Sequence, residues 1–381
     1  MARNKITISS EEETGIIRGL REREDAEAKR ITRFLDMPDL TRVDGSPIKE
    51  LVDRILGIEQ FSSFSDVETP EIIKADLLFE LFNYPADHPE RSPSNTYYPD
   101  PAHILRPMTT TMWYYHTKNE SVTTEMKQGK SVGALSYGKV YRKDEIDRHH
   151  MNVFHQMDGW YLTPKDKKII TIEDLKEVLV EITQTLFGHD VTYRFVEETF
   201  PYTDPSIEIE AEVKGKWVEV VGSGVVRPQV LKNLGIDADK WGGWAFGFGL
   251  ERLAIISMDL PDIRLLWSGD PRVTTQLKLG QKYKEVSPYP QITRDISFVV
   301  PSTFVPNDYF DLVRDIGGQV VEEVKLIDKY EDTEKFGAGK VSYTYRIIYR
   351  SNERTLTTEE VDPIQQRIYS QTAKQFSAQL R

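Results

Sequence analysis

The chain has 381 residues and a formal net charge of −12, with 29% charged and 39% hydrophobic residues and no cysteine. This length accommodates two or three domains, and the absence of cysteine excludes disulfide scaffolds, thiol nucleophiles and cysteine metal sites. No window has the roughly 18 apolar residues of a membrane span, and the acidic total argues against a uniformly basic nucleic-acid surface, although a local basic patch is compatible with it.

The N-terminal residues have neither the apolar core of a secretory signal nor the composition of a transit peptide. We therefore expect a cytoplasmic protein; the alternative is an organellar matrix protein that has lost a transit peptide. Residues 11–34 are rich in helix formers and charge and predict a largely solvated helical arm over residues 1–44. An amphipathic helix that begins near Ser46 then opens the first globular domain, over residues 45–283.

Short strands alternate with helices through this first domain. The run TIEDLKEVLVEITQTLFG predicts a helix with Thr171 as its N-cap and Gly188 as its stop. Four runs are strand candidates, and several of them alternate apolar and polar residues with the period of two that half-buried antiparallel strands show. They are GALSYGKVYR, FHQMDGWYL, SIEIEAEV and KWVEVVGSGVV.

The two prolines of KEVSPYPQI mark a boundary, and we place the second domain at residues 284–381. Its elements follow the order strand, helix, strand, strand, helix, which is typical of the ferredoxin-like split βαβ arrangement. Only SAQLR remains for a last strand, so that strand is short or missing. The whole pattern predicts an α+β protein.

The stretch GGWAFGFGLERLA, residues 242–254, raises the question of a dinucleotide-binding loop. Gly247 and Gly249 supply the first pair of a G-x-G-x-x-G pattern, but its third place is Arg252 and no parallel βαβ unit surrounds it. The stretch instead indicates a glycine-rich strand end that runs into a helix carrying Arg252. An arginine presents a planar, permanently charged fork suited to phosphate oxygens; an ordinary surface arginine is the alternative.

A second candidate lies upstream, in VYRKDEIDRHHMNVFHQMDG. A hairpin here brings Arg142, on one strand, to the same surface as His150, in the loop, and Phe154, on the returning strand. Two arginines and a histidine suit a triphosphate, and Phe154 suits a stacked base; an exposed charged hairpin is the alternative. A zinc site at His149, His150 and His155 is not favoured, because cysteine and the H-E-x-x-H pattern are both missing.

These two stretches resemble motifs 2 and 3 of class II aminoacyl-tRNA synthetases, and in detail those of phenylalanyl-tRNA synthetases. ADHPERSPSNTYY, TFPYTDPSIEIE and KWVEVVGSGVVRPQVL match the same family in order, and YPQITRDISFVV through NERTLTTEEV resembles its ferredoxin-fold anticodon-binding domain. The chain is most similar to the monomeric, single-chain organellar form. The resemblance implies a class II antiparallel sheet flanked by helices, followed by a ferredoxin-like α/β sandwich.

The resemblance also implies an activity, that of a phenylalanine–tRNA ligase. Phenylalanine and ATP give an aminoacyl adenylate and pyrophosphate, and the acyl group then passes to the terminal ribose of tRNA(Phe). The implied partners are therefore tRNA(Phe), phenylalanine, ATP and Mg²⁺. No membrane is involved, and the implied state is a monomer.

Roles in the nucleotide site follow from the same resemblance. Arg142 matches the arginine on the α-phosphate, and Arg252 matches the arginine at the γ-phosphate, with His150 nearby, so these three are the expected catalytic residues. Phe154 matches the ring that stacks adenine, and Glu219 matches a magnesium-associated carboxylate, the one metal ligand expected. The implied nucleotide set is Arg142, Asp144, His150, Phe154, Glu219 and Arg252.

The amino-acid site is implied in the same way. Gln156 and Asp158 match a polar pair that suits an ammonium group, and the two aromatic residues of TFPYTDP match a pair that packs edge-to-face on the substrate ring. Ala245 matches the small residue at the bottom of the ring pocket, and a turn at residues 222–224 is expected to form a thin wall. The implied substrate set is Thr110, Gln156, Asp158, Phe200, Tyr202, Gly222, Gly224, Ala245 and Gly247.

The chain departs from the family's pattern around this pocket. A T-H-T-S run is replaced by PMTT, which puts Met108 at the histidine and Thr110 at the serine, and a downstream glutamine becomes Trp113. Tyr202 stands for a phenylalanine and Asp158 for a glutamate. We expect phenylalanine specificity to be retained. The alternatives are a related synthetase with altered amino-acid specificity and a non-catalytic tRNA-binding paralogue, the latter opposed by the two phosphate arginines.

Binding of tRNA by an acidic chain requires a local basic surface. The candidates are the run KRITR in the N-terminal arm, Arg346 and Arg350 on one face of a strand, and Arg354 after it. A solvated strand face is the alternative.

Overall fold

The computed structural model describes residues 3–143, 150–286, 289–351 and 354–381, apart from the side chains of Asn307, Asp311, Arg314 and Gln319. The chain divides into two compact units, Met1–Tyr283 and Lys284–Arg381. Each unit has its own sheet and its own hydrophobic core, which confirms the α+β fold class.

A sheet flanked by helices makes up unit 1. Its strands are β1 (Lys5–Thr7), β2 (Ser65–Glu68), β3 (Ile72–Lys74), β4 (His103–Leu105), β5 (Val132–Tyr141), β6 (Val153–Pro164), β7 (Tyr193–Phe200), β8 (Thr203–Val213), β9 (Lys216–Val226) and β10 (Trp241–Gly249). Its helices are α1 (Glu11–Glu22), α2 (Ala26–Leu35), α3 (Pro47–Leu56), α4 (Ala75–Phe79), α5 (Met112–Lys118), α6 (Glu120–Lys127), α7 (Ile172–Phe187), α8 (Pro228–Asn233), α9 (Leu250–Met258) and α10 (Pro271–Thr274).

The main sheet of unit 1 has the strand order β1-β2-β5-β6-β10-β9-β8-β7, and β3 pairs with β4 separately. Neighbours from β5 to β7 are antiparallel, as the alternating runs predict. The two pairings at the other edge, β1 with β2 and β2 with β5, are parallel. The sheet is therefore mixed, and the prediction of an antiparallel sheet is right only for its six strands from β5 to β7.

Local sequence signals account for helix α7 and the β5–β6 hairpin. Thr171 and Asp174 form a reciprocal capping box at the start of α7, and Gly188 ends the helix with a φ of 93°, in the left-handed region that favours glycine. In the hairpin, Val140 lies opposite Phe154. The predicted hairpin thus places the ends of both strands side by side.

The N-terminal segment is not the solvated arm that its charge suggests. Leu20 of α1 and Ala28, Ile31 and Phe34 of α2 are buried, and they pack with residues of the main body such as Tyr141. Their spacing puts them on one face of each helix, while the charged residues occupy the other face. This segment contains strand β1 as well as helices α1 and α2, and the buried side chains of the two helices belong to the core of unit 1.

Unit 2 has the predicted ferredoxin-like order of elements. They are β11 (Ile292–Pro301), α11 (Pro306–Gly317), β12 (Val321–Tyr330), α12 (Thr333–Phe336), β13 (Lys340–Tyr349), α13 (Thr358–Phe376) and β14 (Gln379–Leu380). The sheet order is β12-β13-β11-β14, all antiparallel, and α11 and α13 contribute buried residues such as Tyr309 and Ile368 to one core. The short last strand pairs with β11.

Arg350 does not lie on an exposed strand face, so its assignment to a tRNA-binding surface is wrong. Its side chain is 6% exposed, and its Nε donates to the Glu322 carboxylate at 2.7 Å. Its two Nη atoms donate to the carbonyl oxygen of Tyr289 at 3.0 Å and to Gln291 at 2.9 Å. Arg346 is exposed and is paired with Asp295. Arg350 therefore stabilises unit 2 from within.

Among the described residues, no helix combines the length and the apolar composition that crossing a bilayer requires.

Candidate active site

A cavity of about 520 Å³ opens in unit 1 where β10 ends and α9 begins. Both predicted sets of residues meet here. The predicted residues that line it are Thr110, Arg142, His150, Phe154, Gln156, Asp158, Phe200, Tyr202, Glu219, Gly222, Ala245, Gly247 and Arg252. Asp144, which belongs to the predicted nucleotide set, lies outside the described residues.

Arg142 is fixed at the end of β5, on one side of the cavity. Its backbone N–H donates to the carbonyl oxygen of Asn152, which closes the hairpin. Its Nε donates to the carbonyl oxygen of Pro107 at 3.0 Å, and its Nη2 lies 3.4 Å from Oε1 of Gln156. The guanidinium carbon stands 5.1 Å from the centre of the Phe154 ring. A charged fork and an aromatic face are thus held together.

Arg252 occupies the other side, on the first turn of α9. The backbone turns into the helix at Gly249, whose φ of −78° lies in the ordinary extended region. The Arg252 guanidinium forms an ion pair with Glu219 of β9, and the two side chains are 53% and 40% exposed. Both groups therefore face the open part of the cavity.

Asp158 is the one acidic side chain of the predicted amino-acid site, and it is 3% exposed. The hydroxyl of Thr110 donates to its Oδ1 at 2.8 Å, and the hydroxyl of Thr109 donates to its Oδ2. Burial raises the pKa of Asp158 to about 6, while the two threonine hydrogen bonds and the charge of Arg142 act in the opposite direction. The group is ionised above that pH, so it can bind an ammonium group at neutral pH.

Gly247 leaves room for this carboxylate. It lies directly opposite Asp158 on the neighbouring strand, and a Cβ at this position would stand 2.3 Å from Oδ1 of Asp158. Of the glycines in this stretch, Gly243 and Gly247 therefore serve close packing within an antiparallel sheet, and the dinucleotide-binding alternative is wrong.

Aromatic rings form the apolar part of the cavity. Phe200 and Tyr202 stack with their centroids 5.8 Å apart and their planes at 12°. Tyr202 in turn meets Trp113 edge-on at 6.0 Å and Phe82 edge-on at 5.9 Å. These contacts fix the ring, and burial raises the pKa of the Tyr202 hydroxyl, so it stays protonated. The result is a slot for a flat apolar group.

The wall beside this slot is a strand rather than the predicted turn. Gly222 and Gly224 both lie within β9, and Gly222 faces Gly247 of β10. A Cβ on Gly222 would stand 3.1 Å from the tip of Phe200, whereas one on Gly224 would stand 2.5 Å from Cβ of Thr203. Gly222 thus makes room for a ring at the cavity, and Gly224 does so for packing behind it.

Sequence reasoning named Trp113 only as a departure from the family's pattern around the pocket, and it gave Thr109 no part in the site. Trp113 lines the cavity and stacks on Trp160 with centroids 5.0 Å apart, and Thr109 reaches Asp158 from behind the wall. The signal for Trp113 was its position three residues after Thr110, which puts the two on one face of a helical turn. Met108 points into the hydrophobic core and not into the cavity.

His155 is held by carboxylate and backbone groups, and His149, the neighbour of His150 in the sequence, lies outside the described residues. Its Nδ1 lies 2.6 Å from Oε1 of Glu251, and its Nε2 accepts a hydrogen bond from the backbone N–H of Leu40 at 2.9 Å. The Glu251 carboxylate also accepts the backbone N–H of His155 at 2.9 Å. Both side chains are buried, so this contact joins β6 to α9 between Phe154 and Arg252.

Replacing Glu251 with alanine should destabilise unit 1 by about 3 kcal/mol or more, since two buried donors of His155 lose their acceptor. The free energy of unfolding, from urea titrations of the full chain, measures this effect. Glu177→Ala, at an exposed position of α7, is the matched control and should leave the titration unchanged. Equal unfolding midpoints for Glu251→Ala and the wild type would contradict the assignment.

Comparison with known proteins gives the same picture. Residues 34–277 match the model of the class II core domain of tRNA synthetases (F), and residues 287–381 match the ferredoxin-fold anticodon-binding domain. A phenylalanine–tRNA ligase of Arabidopsis thaliana, named chloroplastic/mitochondrial, is 40% identical over 84% of this chain and 73% of its own length. A probable mitochondrial one of Drosophila melanogaster is 37% identical, over 81% and 77%.

A third relative, the mitochondrial phenylalanine–tRNA ligase of Mus musculus, is 35% identical over 79% of this chain and 72% of its own. The names of these relatives give no support to the expected cytoplasmic location; they agree with the organellar alternative. The order of the domains, the geometry of the site and the similarity over most of the chain all indicate the same family. The chain belongs to the phenylalanine–tRNA ligase family of class II aminoacyl-tRNA synthetases.

Proposed function

We propose that this chain attaches phenylalanine to tRNA(Phe), in an organelle and as a monomer. The observation that carries the proposal is one cavity that unites an aromatic slot, a buried carboxylate and two arginines on either side of it. A binding module has no need of that combination. The organellar location rests on the names of the relatives, and the monomeric state rests on the presence of both domains in this one chain.

Phenylalanine fits the cavity with its ammonium group at Asp158 and its ring in the aromatic slot. Gln156 and Thr110 border the carboxylate, and they supply further polar contacts for the amino group. Phe200 and Tyr202 offer ring surfaces, and the floor at Ala245 leaves little space beyond the ring. In this proposed pose the substrate's carboxylate points toward Arg142.

The chemistry proposed for the first step is an in-line displacement. An oxygen of the phenylalanine carboxylate attacks the α-phosphorus of ATP, and the bond from that phosphorus to the β-phosphate oxygen breaks to release pyrophosphate. Arg142, which is already oriented by Pro107 and Gln156, stabilises the charge that builds on the α-phosphoryl oxygens. Phe154 stacks the adenine, and Arg252, with His150, holds the far phosphates.

Glu219 is the proposed protein ligand of an ATP-bound Mg²⁺. Within the described residues, no three His, Cys, Asp or Glu side chains gather into a metal-binding cluster, so the protein alone offers no complete site. A single carboxylate with ATP oxygens and water suits this ion. The charge of Glu219 adds to burial in raising the pKa of Glu208 to about 7, which indicates excess negative charge that a cation relieves. Bound Mg²⁺ would neutralise phosphate charge.

We propose that both units take part in binding tRNA. Unit 2 matches an anticodon-binding domain, and we propose that it binds the anticodon stem-loop. Exposed arginines that are candidates for phosphate contacts are Arg30 and Arg33 of α2 and Arg346 of β13, which would have to exchange its ion pair with Asp295 for a phosphate. Each phosphate contact contributes to the salt dependence of binding, so the acidic total does not oppose a local footprint.

Amino-acid-dependent ATP–pyrophosphate exchange across the standard amino acids tests the proposal. We expect exchange with phenylalanine and, in a second assay, charging of tRNA(Phe). Exchange with a different amino acid would mean that Trp113 and Tyr202 have changed the specificity of the slot. No exchange with any amino acid, by a protein that still binds tRNA, would leave the non-catalytic paralogue.

A further inference from the structure

Two neighbouring threonines hold the two oxygens of one carboxylate. Thr109 and Thr110 lie in a single 3-10 turn, Thr109–Thr111, and each donates its hydroxyl to a different oxygen of Asp158. Thr110 lines the cavity and is part of the predicted substrate site. Thr109 is fully buried and lies behind the cavity wall, so it cannot touch a substrate directly.

We propose that Thr109 is a positioning residue for amino-acid recognition: from behind the wall, its hydroxyl keeps the Asp158 carboxylate ionised and aimed into the cavity. The inference rests on the proposed function, in which Asp158 binds the substrate's ammonium group. In this proposal, Thr109 contributes to the affinity for the amino acid although it lies outside the cavity.

The surroundings of Asp158 explain why one buried hydroxyl matters. Gly247 on β10 and Ser136 on β5 lie directly opposite Asp158 and bring no charge. The charged and titratable groups that act on it are Arg142 and the phenol of Tyr202. The carboxylate thus depends on a few neutral donors and one cation to offset its burial.

The loss of the Thr109 hydroxyl should raise the pKa of Asp158, because each contact of Asp158 favours either the carboxylate or the carboxylic acid. Burial raises the pKa of Asp158, and the hydrogen bond from Thr109 lowers it, because a hydroxyl donor favours the carboxylate over the carboxylic acid. Without that donor, the pKa moves further up, toward neutral pH. A protonated Asp158 carries no charge for the ammonium group, so the affinity for the amino acid falls on the acid side.

Thr109→Val is the decisive variant, because valine keeps the shape of threonine and lacks the hydroxyl. Thr109→Ser is its matched control, because serine keeps the hydroxyl and lacks the methyl group. The readout is kcat/KM for phenylalanine in ATP–pyrophosphate exchange, measured as a function of pH, with the KM for ATP determined alongside.

We expect Thr109→Val to lose about tenfold in kcat/KM for phenylalanine on the acid side and to recover at higher pH, with the KM for ATP unchanged. Thr109→Ser should follow the wild-type profile. If the acidic midpoint of the kcat/KM profile of Thr109→Val stays at the wild-type pH, the proposal is overturned, even where activity is lower at every pH. A merely structural role of Thr109 would lower activity without moving that midpoint.

A direct titration separates this proposal from the proposed function. The pH dependence of the ¹³Cγ resonance of Asp158, assigned with Asp158→Asn, reports its protonation without any catalysis. A midpoint that rises in Thr109→Val supports the role of Thr109 even in a protein that exchanges no amino acid, and an unmoved midpoint overturns it. If Thr109→Val does not fold, Thr109→Ala provides the same comparison.

Discussion

Replacing Arg252 with alanine is expected to lower phenylalanine-dependent ATP–pyrophosphate exchange by about a thousandfold. The Arg252 guanidinium lines the cavity and is half-exposed, whereas the other charged residue of α9 at the cavity, Glu251, is buried. The guanidinium also holds Glu219 in an ion pair. Its loss removes a cation from the phosphates and leaves Glu219, the proposed Mg²⁺ ligand, without the ion pair that orients it. Initial exchange rates at saturating phenylalanine and varied ATP measure the effect, which should appear mainly in kcat/KM for ATP.

The matched control is Arg21→Ala. Arg21 is likewise an exposed arginine of unit 1 in an ion pair, with Asp36 at 2.9 Å, but it lies away from the cavity. It should exchange at the wild-type rate. Arg252→Lys keeps the charge and loses the planar fork, so we expect an intermediate rate. An Arg252→Ala enzyme as active as the control would exclude Arg252 from the nucleotide site.

Replacing Asp158 with asparagine should lower kcat/KM for phenylalanine by about a hundredfold or more, because a buried ammonium group loses its counter-charge. The side chain keeps its size, so the ring slot and the ATP site persist. Exchange kinetics at varied phenylalanine, with the KM for ATP as an internal reference, measure the change. The residual activity should no longer decline near pH 6, since the titrating carboxyl, whose pKa is about 6, is gone.

Two comparisons make this second experiment specific. Asp166→Asn, at an exposed position just after β6, removes the same charge outside the cavity and should behave as the wild type. A phenylalanine analogue without its amino group, 3-phenylpropanoate, should inhibit the wild type and Asp158→Asn equally. If Asp158→Asn instead weakens this analogue as strongly as phenylalanine, Asp158 shapes the slot and does not bind the ammonium group.

Local signals in the sequence were sufficient for most elements of the fold. Helix α7 is specified by its capping box and its terminal glycine, and parts of β6 and β8 alternate in burial, whereas β5 is buried along its whole length. Strand β7 was missed, because as an edge strand it is largely exposed on both faces and shows no alternation. The parallel pairing of β1 and β2 was missed as well, since it joins segments about 60 residues apart.

The residues that line the cavity were predictable where a motif fixes their positions, as for Arg142, Phe154 and Arg252, and their roles stay predictions. Features that depend on tertiary neighbours were not. Arg350 sits where alternation predicts an exposed residue, yet Glu322 and two loop oxygens bury it. Thr109 shows its part only when the partner of its hydroxyl is known.

The buried histidine of β6 has a consequence for shortened forms of this protein. His155 accepts a hydrogen bond from Leu40, and the Lys139 ammonium group donates to the carbonyl oxygens of Leu35 and Met37 at 2.7 and 2.8 Å. The hairpin that carries Phe154 is thus anchored to the first forty residues. A truncation to the globular part that begins at residue 45 would cut these anchors, so the leading helices are a brace of the catalytic hairpin and not a removable extension.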